Sequence, residues 1–378
     1  MTTLTTINGG FSQQPKKPTT EIVIHRKYKL IEILGKGRFG TVYKGINNRS
    51  GEIVAIKFEP APPVVQNVKS MDNHFYALKY ETTILNYLYS KGCRKIPPIY
   101  WYGLHDKYTT LIMPFYGGGS LFQFIQTQHL NQNKPNTETS HLCTFEMRKG
   151  VNKIMTQMLC IIENIHSFGV IHRDIKPHNF MFYGSQPDKL NELDEYKLIL
   201  IDFGMAGFSS YTNVIENETV NVSNIREHIT GTPNYISYNI HNGKKPTEWD
   251  DLISIGYIYL YLLWGTLPWI TETRKSSTID PENYNPYTGS KYENTHICHP
   301  SNLRIMEIKK WNCTEKIILN YYENNENECS SIHKYLNYCY GKSELCHRTN
   351  KMGDINYTGL IQLFRSPDGD GDGVPSGK

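Results

Sequence analysis

A glycine-rich segment is enclosed by two stretches with the patterning of β-strands. Residues 35–42 read GKGRFGTV, a G-x-G-x-x-G-x-V pattern, inside residues 28–58, where apolar and polar side chains alternate. A dinucleotide-binding fold places such a motif in front of a helix, whereas a strand follows here. The segment therefore predicts an antiparallel hairpin in which Gly35, Gly37 and Gly40 let the backbone approach phosphate groups. An ordinary glycine-rich turn is the alternative.

A lysine and a glutamate follow in an informative order. Lys57 ends the motif VAIK on the next predicted strand, and Glu81 lies in LKYETTIL on a helix predicted over residues 75–90. A lysine at this place can hold the α- and β-phosphates of a nucleotide when an acidic residue orients it. Taken singly, Lys57 could be an exposed strand residue and Glu81 part of a solvated helix face. The order of glycine loop, lysine and glutamate argues against coincidence.

The segment IHRDIKPHN at residues 171–179 is the most specific motif. Asp174 can orient a hydroxyl group and accept its proton, and Lys176 can neutralise charge on a transferred phosphoryl group. Asn179 supplies an amide oxygen, which suits a hard Mg²⁺ ion. A solvent loop with balanced charges would not place all of these residue types at these offsets.

A second carboxylate follows a short apolar strand. The segment LILIDFG at residues 198–204 ends in Asp202, Phe203 and Gly204. Asp202 is predicted to coordinate Mg²⁺, and Phe203 to pack against the helix that carries Glu81. With this motif, all four expected elements are present and in order.

From about residue 25 to residue 365 the chain resembles the eukaryotic-type protein kinases, and within them the casein kinase 1 family. The branch-specific similarities are KIPPIYWYG (95–103), HRDIKPHNFM (172–181), TGTPNYISYNIHNG (230–243), DDLISIGYIYLYLLWGTLPW (250–269) and LIQLFR (360–365). Where most kinases have Ala-Pro-Glu, this chain has Ser237, Asn239 and His241 in the branch's Ser-x-Asn-x-His pattern. Residues 231–241 would form the loop that holds a protein substrate, called the substrate loop below. Without that glutamate, another contact must hold this loop, and Asn239 is the candidate.

The resemblance implies an α+β, two-lobed fold, with a small antiparallel-sheet N-lobe, a larger helical C-lobe and ATP between them. It implies Mg²⁺ as cofactor, with Mn²⁺ as the alternative ion. Residues 171–179 would form the catalytic loop. Asp251 resembles the residue that braces this loop, and Thr232 the one that bridges Asp174 and Lys176. Met113 resembles the gatekeeper. The other implied ATP-binding residues are the hairpin residues Gly35, Lys36, Gly37, Arg38, Phe39 and Gly40, the walls Val42, Ala55 and Met181, and the hinge residues Phe115 and Tyr116.

The implied activity is transfer of the ATP γ-phosphoryl group to serine or threonine hydroxyls of protein substrates. The family prefers acidic or already phosphorylated substrates, which basic residues bind. Arg226 is the best match to the family's activation-segment arginine. The looser matches are Lys244, Lys245, Arg274 and Lys275.

The 378 residues suit two domains or one two-lobed domain, at about 150 residues per domain. The expected organisation is a disordered tail over 1–24, a kinase domain over 25–365 and a flexible tail over 366–378. Within the domain we expect the N-lobe over 25–113, the hinge over 114–119 and the C-lobe over 120–365. Polar segments predict surface insertions near 131–145, 209–224 and 271–330.

Composition restricts partners and location. The net charge of +4 gives no support for nucleic-acid binding, so any basic site is local. Residues 252–270 are apolar, but Gly265 and Pro268 interrupt them, which favours a buried helix over 252–264. No signal sequence is recognisable, so we expect a cytoplasmic or nuclear protein. We also expect a monomer. The 8 cysteines then read as free thiols, with a zinc site at residues 296–299 and 346–347 as a weaker alternative.

Two other functions compete with an active protein kinase, and a sister branch of the family is a closer alternative. A pseudokinase scaffold usually lacks one of the residues at Lys57, Asp174 and Asp202, and none is missing here. A small-molecule kinase generally lacks the GTPNY element of the substrate loop, which this chain has at residues 231–235. Vaccinia-related kinases are a sister branch whose catalytic loop usually departs from His-Arg-Asp.

Overall fold

The computed structural model describes residues 22–37, 40–61, 77–132, 145–184, 197–209, 230–270, 300–321 and 326–365. The insertion expected at 209–224 lies outside these ranges except for its first residue. Residues 133–144 and 271–299 of the other two expected insertions also lie outside them.

The N-terminal part is an antiparallel sheet with one helix. Its strands are β1 (Val23–Ile24), β2 (Tyr28–Gly37), β3 (Gly40–Asn47), β4 (Ile53–Pro60), β5 (Trp101–His105) and β6 (Tyr108–Pro114). They form a six-stranded sheet in the order β1-β2-β3-β4-β6-β5. Helix α1 (Ala77–Ser90) lies between β4 and β5 in the chain and buries Leu78, Ile84 and Leu88. The predicted run of three strands over residues 28–58 is confirmed.

The disordered tail predicted for residues 1–24 is too long. Val23 and Ile24 form β1, which pairs with Lys29 and Tyr28 of β2. Ile24 is fully buried in a small core with Tyr28, Val54 and Ile112. Burial of this side chain gives the last residues of the expected tail a reason to be ordered.

The C-terminal part is mostly helical, so the predicted α+β architecture is confirmed. Its helices are α2 (Leu121–Gln132), α3 (Phe145–His166), α4 (Tyr238–His241), α5 (Glu248–Trp264), α6 (Pro300–Ile308), α7 (Trp311–Tyr321), α8 (Glu326–Thr349) and α9 (Tyr357–Gln362). Two short antiparallel sheets pair β7 (Val170–Ile171) with β10 (Gly207–Phe208), and β8 (Phe180–Tyr183) with β9 (Lys197–Leu200).

The apolar segment expected to be a buried helix forms α5, whose residues from Glu248 to Leu263 are all buried. The helix begins before residue 252 because Thr247 and Asp250 form a capping box, which satisfies free backbone N–H groups. It ends at Gly265, which has the positive φ of 69° that glycine accepts without strain. None of the helices in the described part of the chain is both long and apolar enough to cross a membrane.

The surface insertion expected over residues 271–330 is wrong for residues 300–321. These residues form α6 and α7, and their side chains Asn302, Ile305, Lys309, Thr314 and Ile318 are buried. The expectation was based on residues 271–330 as a whole, which are polar and rich in asparagine and so resemble a surface loop. The polar side chains Lys309 and Thr314 are buried because hydrogen bonds compensate for the loss of water.

Candidate active site

Three charged side chains meet between the sheet and the helical part. Lys57 on β4 places Nζ 2.7 Å from Oε2 of Glu81 on α1 and 2.8 Å from Oδ1 of Asp202 after β9. Burial disfavours the charge on Lys57, but the two carboxylates outweigh it and raise its pKa. Burial also opposes ionisation of Asp202, yet Lys57 and Lys176 lower the pKa of Asp202. The cluster therefore holds a cationic lysine against an ionised aspartate at about neutral pH.

Phe203 connects this cluster to α1. Its backbone N–H donates to the carboxyl group of Glu81, and its side chain is fully buried. The ring lies edge-on to His172, with 4.9 Å between the ring centroids. The position of Glu81 is thus tied to the backbone directly after Asp202.

The catalytic-loop residues converge on the carboxyl group of Asp174. Lys176 Nζ lies 2.6 Å from Oδ2, and the hydroxyl of Thr232 donates to Oδ1 over 2.7 Å. Lys176 Nζ also donates to Thr232 Oγ1 over 3.2 Å. Burial disfavours the charge on Lys176, but Asp174 outweighs this and raises the pKa of Lys176. Thr232 belongs to the segment 231–241, so this segment and the catalytic loop share a hydrogen-bond network.

Asp251 holds the backbone of the catalytic loop in place. Its Oδ2 accepts from the N–H of His172 over 2.7 Å, and its Oδ1 from the N–H of Arg173 over 2.9 Å. Arg173 has a φ of 67°, an unfavourable left-handed conformation that such contacts can maintain. Oδ2 also pairs with Nε2 of His166, whose Nδ1 contacts the hydroxyl of Tyr357 on α9.

Asn179 and Asp202 offer oxygen atoms suited to a hard cation. Nδ2 of Asn179 donates to the backbone carbonyl of Asp174 over 2.9 Å, which fixes the amide and leaves its oxygen as an acceptor. The Asp202 side chain is 34% exposed, so one side of it is open to a ligand. In the described ranges, no group of three or more His, Cys, Asp or Glu residues could hold a metal ion. These two residues thus fit an ion such as Mg²⁺ that takes its other ligands from phosphates and water.

The glycine-rich motif lies at the tip of the β2–β3 hairpin, where Lys36 pairs with Thr41 and Gly37 with Gly40. The region around Gly35 and Gly37 is open, which suits the approach of a ligand to the backbone. Gly40 is different, because a Cβ there would lie 1.8 Å from the carbonyl oxygen of Phe58. Any side chain at position 40 would therefore collide with β4, so the packing of the sheet requires glycine there. Arg38 and Phe39 lie outside the described residues.

The residues predicted to surround the adenine base occupy one region. Ala55 on β4 is opposite Met113 on β6, and Val42 on β3 is opposite Lys57. Met181 on β8 forms a bridge with Ser120, just after the expected hinge. Phe115 is half-buried beneath Lys44, and Tyr116 is buried beside Tyr183. These roles stay predictions.

Residues 28–340 match the protein kinase domain family. The chain belongs to the protein kinase family. In this kinase, Lys57 contacts Glu81 and Asp202, while Lys176, which contacts Asp174, also lowers the pKa of Asp202. The lysine, glutamate and two aspartates that the sequence singled out are therefore close together, where the active site is expected. The match does not extend to a branch of the family.

Polar contacts hold residues 231–241, the expected substrate loop of this kinase. Ser237 caps α4 by accepting from the N–H of Ile240, and its hydroxyl donates to Asp250 Oδ1 over 2.5 Å. Burial raises the pKa of Asp250 to about 6. Asn239 Nδ2 donates to Ser343 Oγ on α8 over 2.8 Å. The sequence pointed to Asn239 as an anchor, but the partner on α8 is far away in the chain.

The predicted basic pocket for substrate phosphate is only partly within the described ranges. Lys244 and Lys245 are exposed just after α4, and the backbone N–H of Lys244 donates to the carbonyl of Asn239. Arg226, Arg274 and Lys275 lie outside the described residues. The pocket stays a prediction.

Two functional candidates escaped sequence reasoning. Lys309 is fully buried and contacts the substrate loop, but it lay in a segment interpreted as a surface insertion. His178 stands where the casein kinase 1 pattern has aspartate, and its ring stacks on Phe122 with 3.9 Å between centroids. Burial, with a smaller effect of Lys176, lowers the pKa of His178 to about 4. The departure from the family pattern was the available signal for His178.

Proposed function

We propose that this kinase transfers the γ-phosphoryl group of ATP to serine or threonine hydroxyls of protein substrates. The observation that carries the proposal is the hydrogen bond from Thr232 to Asp174, together with the contact of Lys176 to both. It joins the loop expected to receive a protein substrate to the carboxylate expected to accept the hydroxyl proton. The family match supports protein kinase activity in general.

Each polar residue has a distinct role in this proposal. Oδ atoms of Asp174 orient the substrate hydroxyl and accept its proton, while Lys176 offsets negative charge beside them. Lys57, held by Glu81, binds the nucleotide phosphates, and the β2–β3 hairpin covers them. ATP, when bound, would supply the phosphoryl group, and Asn179 and Asp202 would hold Mg²⁺ or Mn²⁺, which would neutralise its charge.

We further propose that the chain belongs to the casein kinase 1 branch and favours acidic or already phosphorylated substrates. The Ser237-x-Asn239-x-His241 pattern supports membership of this branch. The position of Lys176 in the catalytic loop supports serine and threonine, and not tyrosine, as the phosphorylated residues. Arg226, Lys244 and Arg274 are the proposed contacts to a substrate phosphate.

A pseudokinase scaffold is the second candidate. Its expected sign, loss of one of Lys57, Asp174 and Asp202, is missing from this sequence. The ion pair of Lys57 with Glu81, at 2.7 Å, also favours the active enzyme.

A phosphoryl-transfer assay separates the two candidates. Purified protein is incubated with Mg²⁺ and γ-labelled ATP on casein and on a serine- and threonine-containing acidic peptide library, with primed and unprimed members. We expect transfer by the wild-type protein and its loss in Asp202→Asn. ATP binding without transfer by the wild type would establish the scaffold, and full activity in Asp202→Asn would reveal a contaminating kinase.

A further inference from the structure

Lys309, in the turn between α6 and α7, is a buried lysine that contacts backbone oxygens. It is fully buried, and its Nζ donates to the carbonyls of Pro233 over 2.8 Å and Ile236 over 2.6 Å. Within the described ranges, no carboxylate forms an ion pair with it. Both carbonyls belong to the substrate loop, so a single amine connects two points of that loop to the helices behind it.

Aromatic rings complete the surroundings of this amine. Its Nζ lies 4.9 Å from the ring centroid of Tyr257 on α5 and 4.8 Å from that of Trp269. Aromatic faces at such distances attract a cation. Trp269 also donates from Nε1 to the carbonyl of Asn234 over 2.8 Å, so it contacts the same loop. His241 Nε2 lies 3.5 Å from the amine and 3.1 Å from the carbonyl oxygen of Pro233.

The backbone of Lys309 is fixed as firmly as its side chain. Its N–H donates to the carbonyl of Ile305 over 3.1 Å, and its carbonyl accepts from the hydroxyl of Tyr340 on α8 over 2.9 Å. The same hydroxyl contacts that of Tyr257. Because α5, α6 and α8 all contribute, the amine is held at one position before any substrate arrives.

An amine is a costly choice for such a place. Burial lowers the pKa of Lys309 well below its ordinary value, which expresses the penalty for keeping charge away from water. A methionine would fill similar volume without that penalty. Methionine has no N–H group that could donate to the carbonyls of Pro233 and Ile236. The need for these hydrogen bonds explains why a lysine occupies this position.

We propose that Lys309 is a positioning residue that fixes the substrate loop and, through it, the contact of Thr232 with Asp174. Pro233 directly follows Thr232, so the carbonyl that Lys309 holds lies one residue from the hydroxyl that donates to Asp174 over 2.7 Å. Lys309 thereby supplies an anchor in a loop that lacks the usual glutamate. The proposal rests on the kinase activity proposed above.

The test compares Lys309→Met with Lys310→Met. Lys310 is adjacent, its side chain is 40% exposed, and it pairs with Glu307 one turn away, so it is a matched control. Peptide phosphorylation is expressed per ATP-binding site, counted by titration with a nucleotide, so that unfolded protein does not enter the rate. We expect kcat to fall at least about tenfold in Lys309→Met, with the Kd for ATP unchanged, and to change less than about twofold in Lys310→Met. Lys309→Arg, which keeps the donors, should retain more activity than Lys309→Met.

Amide hydrogen exchange does not depend on catalysis, so it tests this proposal separately from the proposed function. Amide hydrogen exchange over residues 230–242 should be at least about tenfold faster in Lys309→Met and unchanged in α1. If wild-type protein binds ATP but transfers no phosphate, the proposed kinase function is wrong. The hydrogen-exchange measurement still tests whether Lys309 anchors the substrate loop. The proposal is overturned if Lys309→Met has the same kcat per ATP-binding site as the wild type. It is also overturned if amide exchange in the substrate loop is the same in the two proteins. If Lys309→Met does not fold, Lys309→Gln replaces it, with kcat expected below that of Lys309→Arg.

Discussion

The hydroxyl of Thr232 donates a 2.7 Å hydrogen bond to Oδ1 of Asp174, although 58 residues separate them in the chain. The catalytic loop and the substrate loop therefore do not form independently. A change in either one is expected to be felt at the carboxylate that the proposed reaction requires.

Removal of this hydroxyl should slow catalysis. Thr232→Val keeps the shape of the side chain but leaves Asp174 and Lys176 without their bridge, and we expect kcat to fall by about 10- to 100-fold. Thr232→Ser keeps the hydroxyl and serves as the control, with kcat within about threefold of wild type. Steady-state phosphorylation of an acidic peptide at saturating ATP measures both. Equal rates in the valine variant and the wild type would show that the bridge is not needed.

Gly40 should tolerate substitution less well than Gly37. In Gly40→Ala, the new Cβ would meet the carbonyl oxygen of Phe58 at 1.8 Å, at a residue with a φ of 139°. We expect the free energy of unfolding to fall by about 3 kcal/mol or more, measured by chemical denaturation. Gly37→Ala has open space around its Cβ and should cost less than about 1 kcal/mol. Similar losses in the two variants would contradict the structural account.

The contact between Asn239 and Ser343 can be measured by a double-mutant cycle. Each single change to alanine removes the 2.8 Å hydrogen bond between them and should cost about 1 kcal/mol of unfolding free energy. Because one bond is lost in either case, the double variant should cost less than the sum of the two. Strictly additive losses would mean that Asn239 does not anchor the loop through α8.

His178 should make stability depend on pH. Its pKa of about 4 in the folded protein lies below the ordinary value of 6.5, so the unfolded chain binds a proton more readily between these pH values. The stability contribution is thus complete above pH 6.5 and is lost as the pH falls toward 4, by up to about 3 kcal/mol.

His178→Phe keeps a ring that can stack on Phe122 and removes the titrating group. Unfolding free energies measured from pH 4 to pH 7 should show a smaller slope in this variant than in the wild type. Parallel curves would mean that the histidine stays accessible to protons in the folded state.

The sequence by itself was enough to predict the architecture and to single out the charged residues that the structure brings together. Strand alternation, the position of the glycine motif between strands, and the order of Lys57, Glu81, Asp174 and Asp202 are local patterns. Such patterns are readable because each residue's role depends on near neighbours and on its place in a fixed sequence of motifs.

Only the tertiary structure decided how the substrate loop is held. Two partners of that loop, Ser343 and Lys309, lie about 100 and 70 residues away from it in the chain, which is beyond the reach of local patterns. A buried lysine also reads as a surface residue in sequence, because lysine is usually exposed. Its burial depends on backbone carbonyls and aromatic rings that come together only when α5, α6 and α8 pack around it.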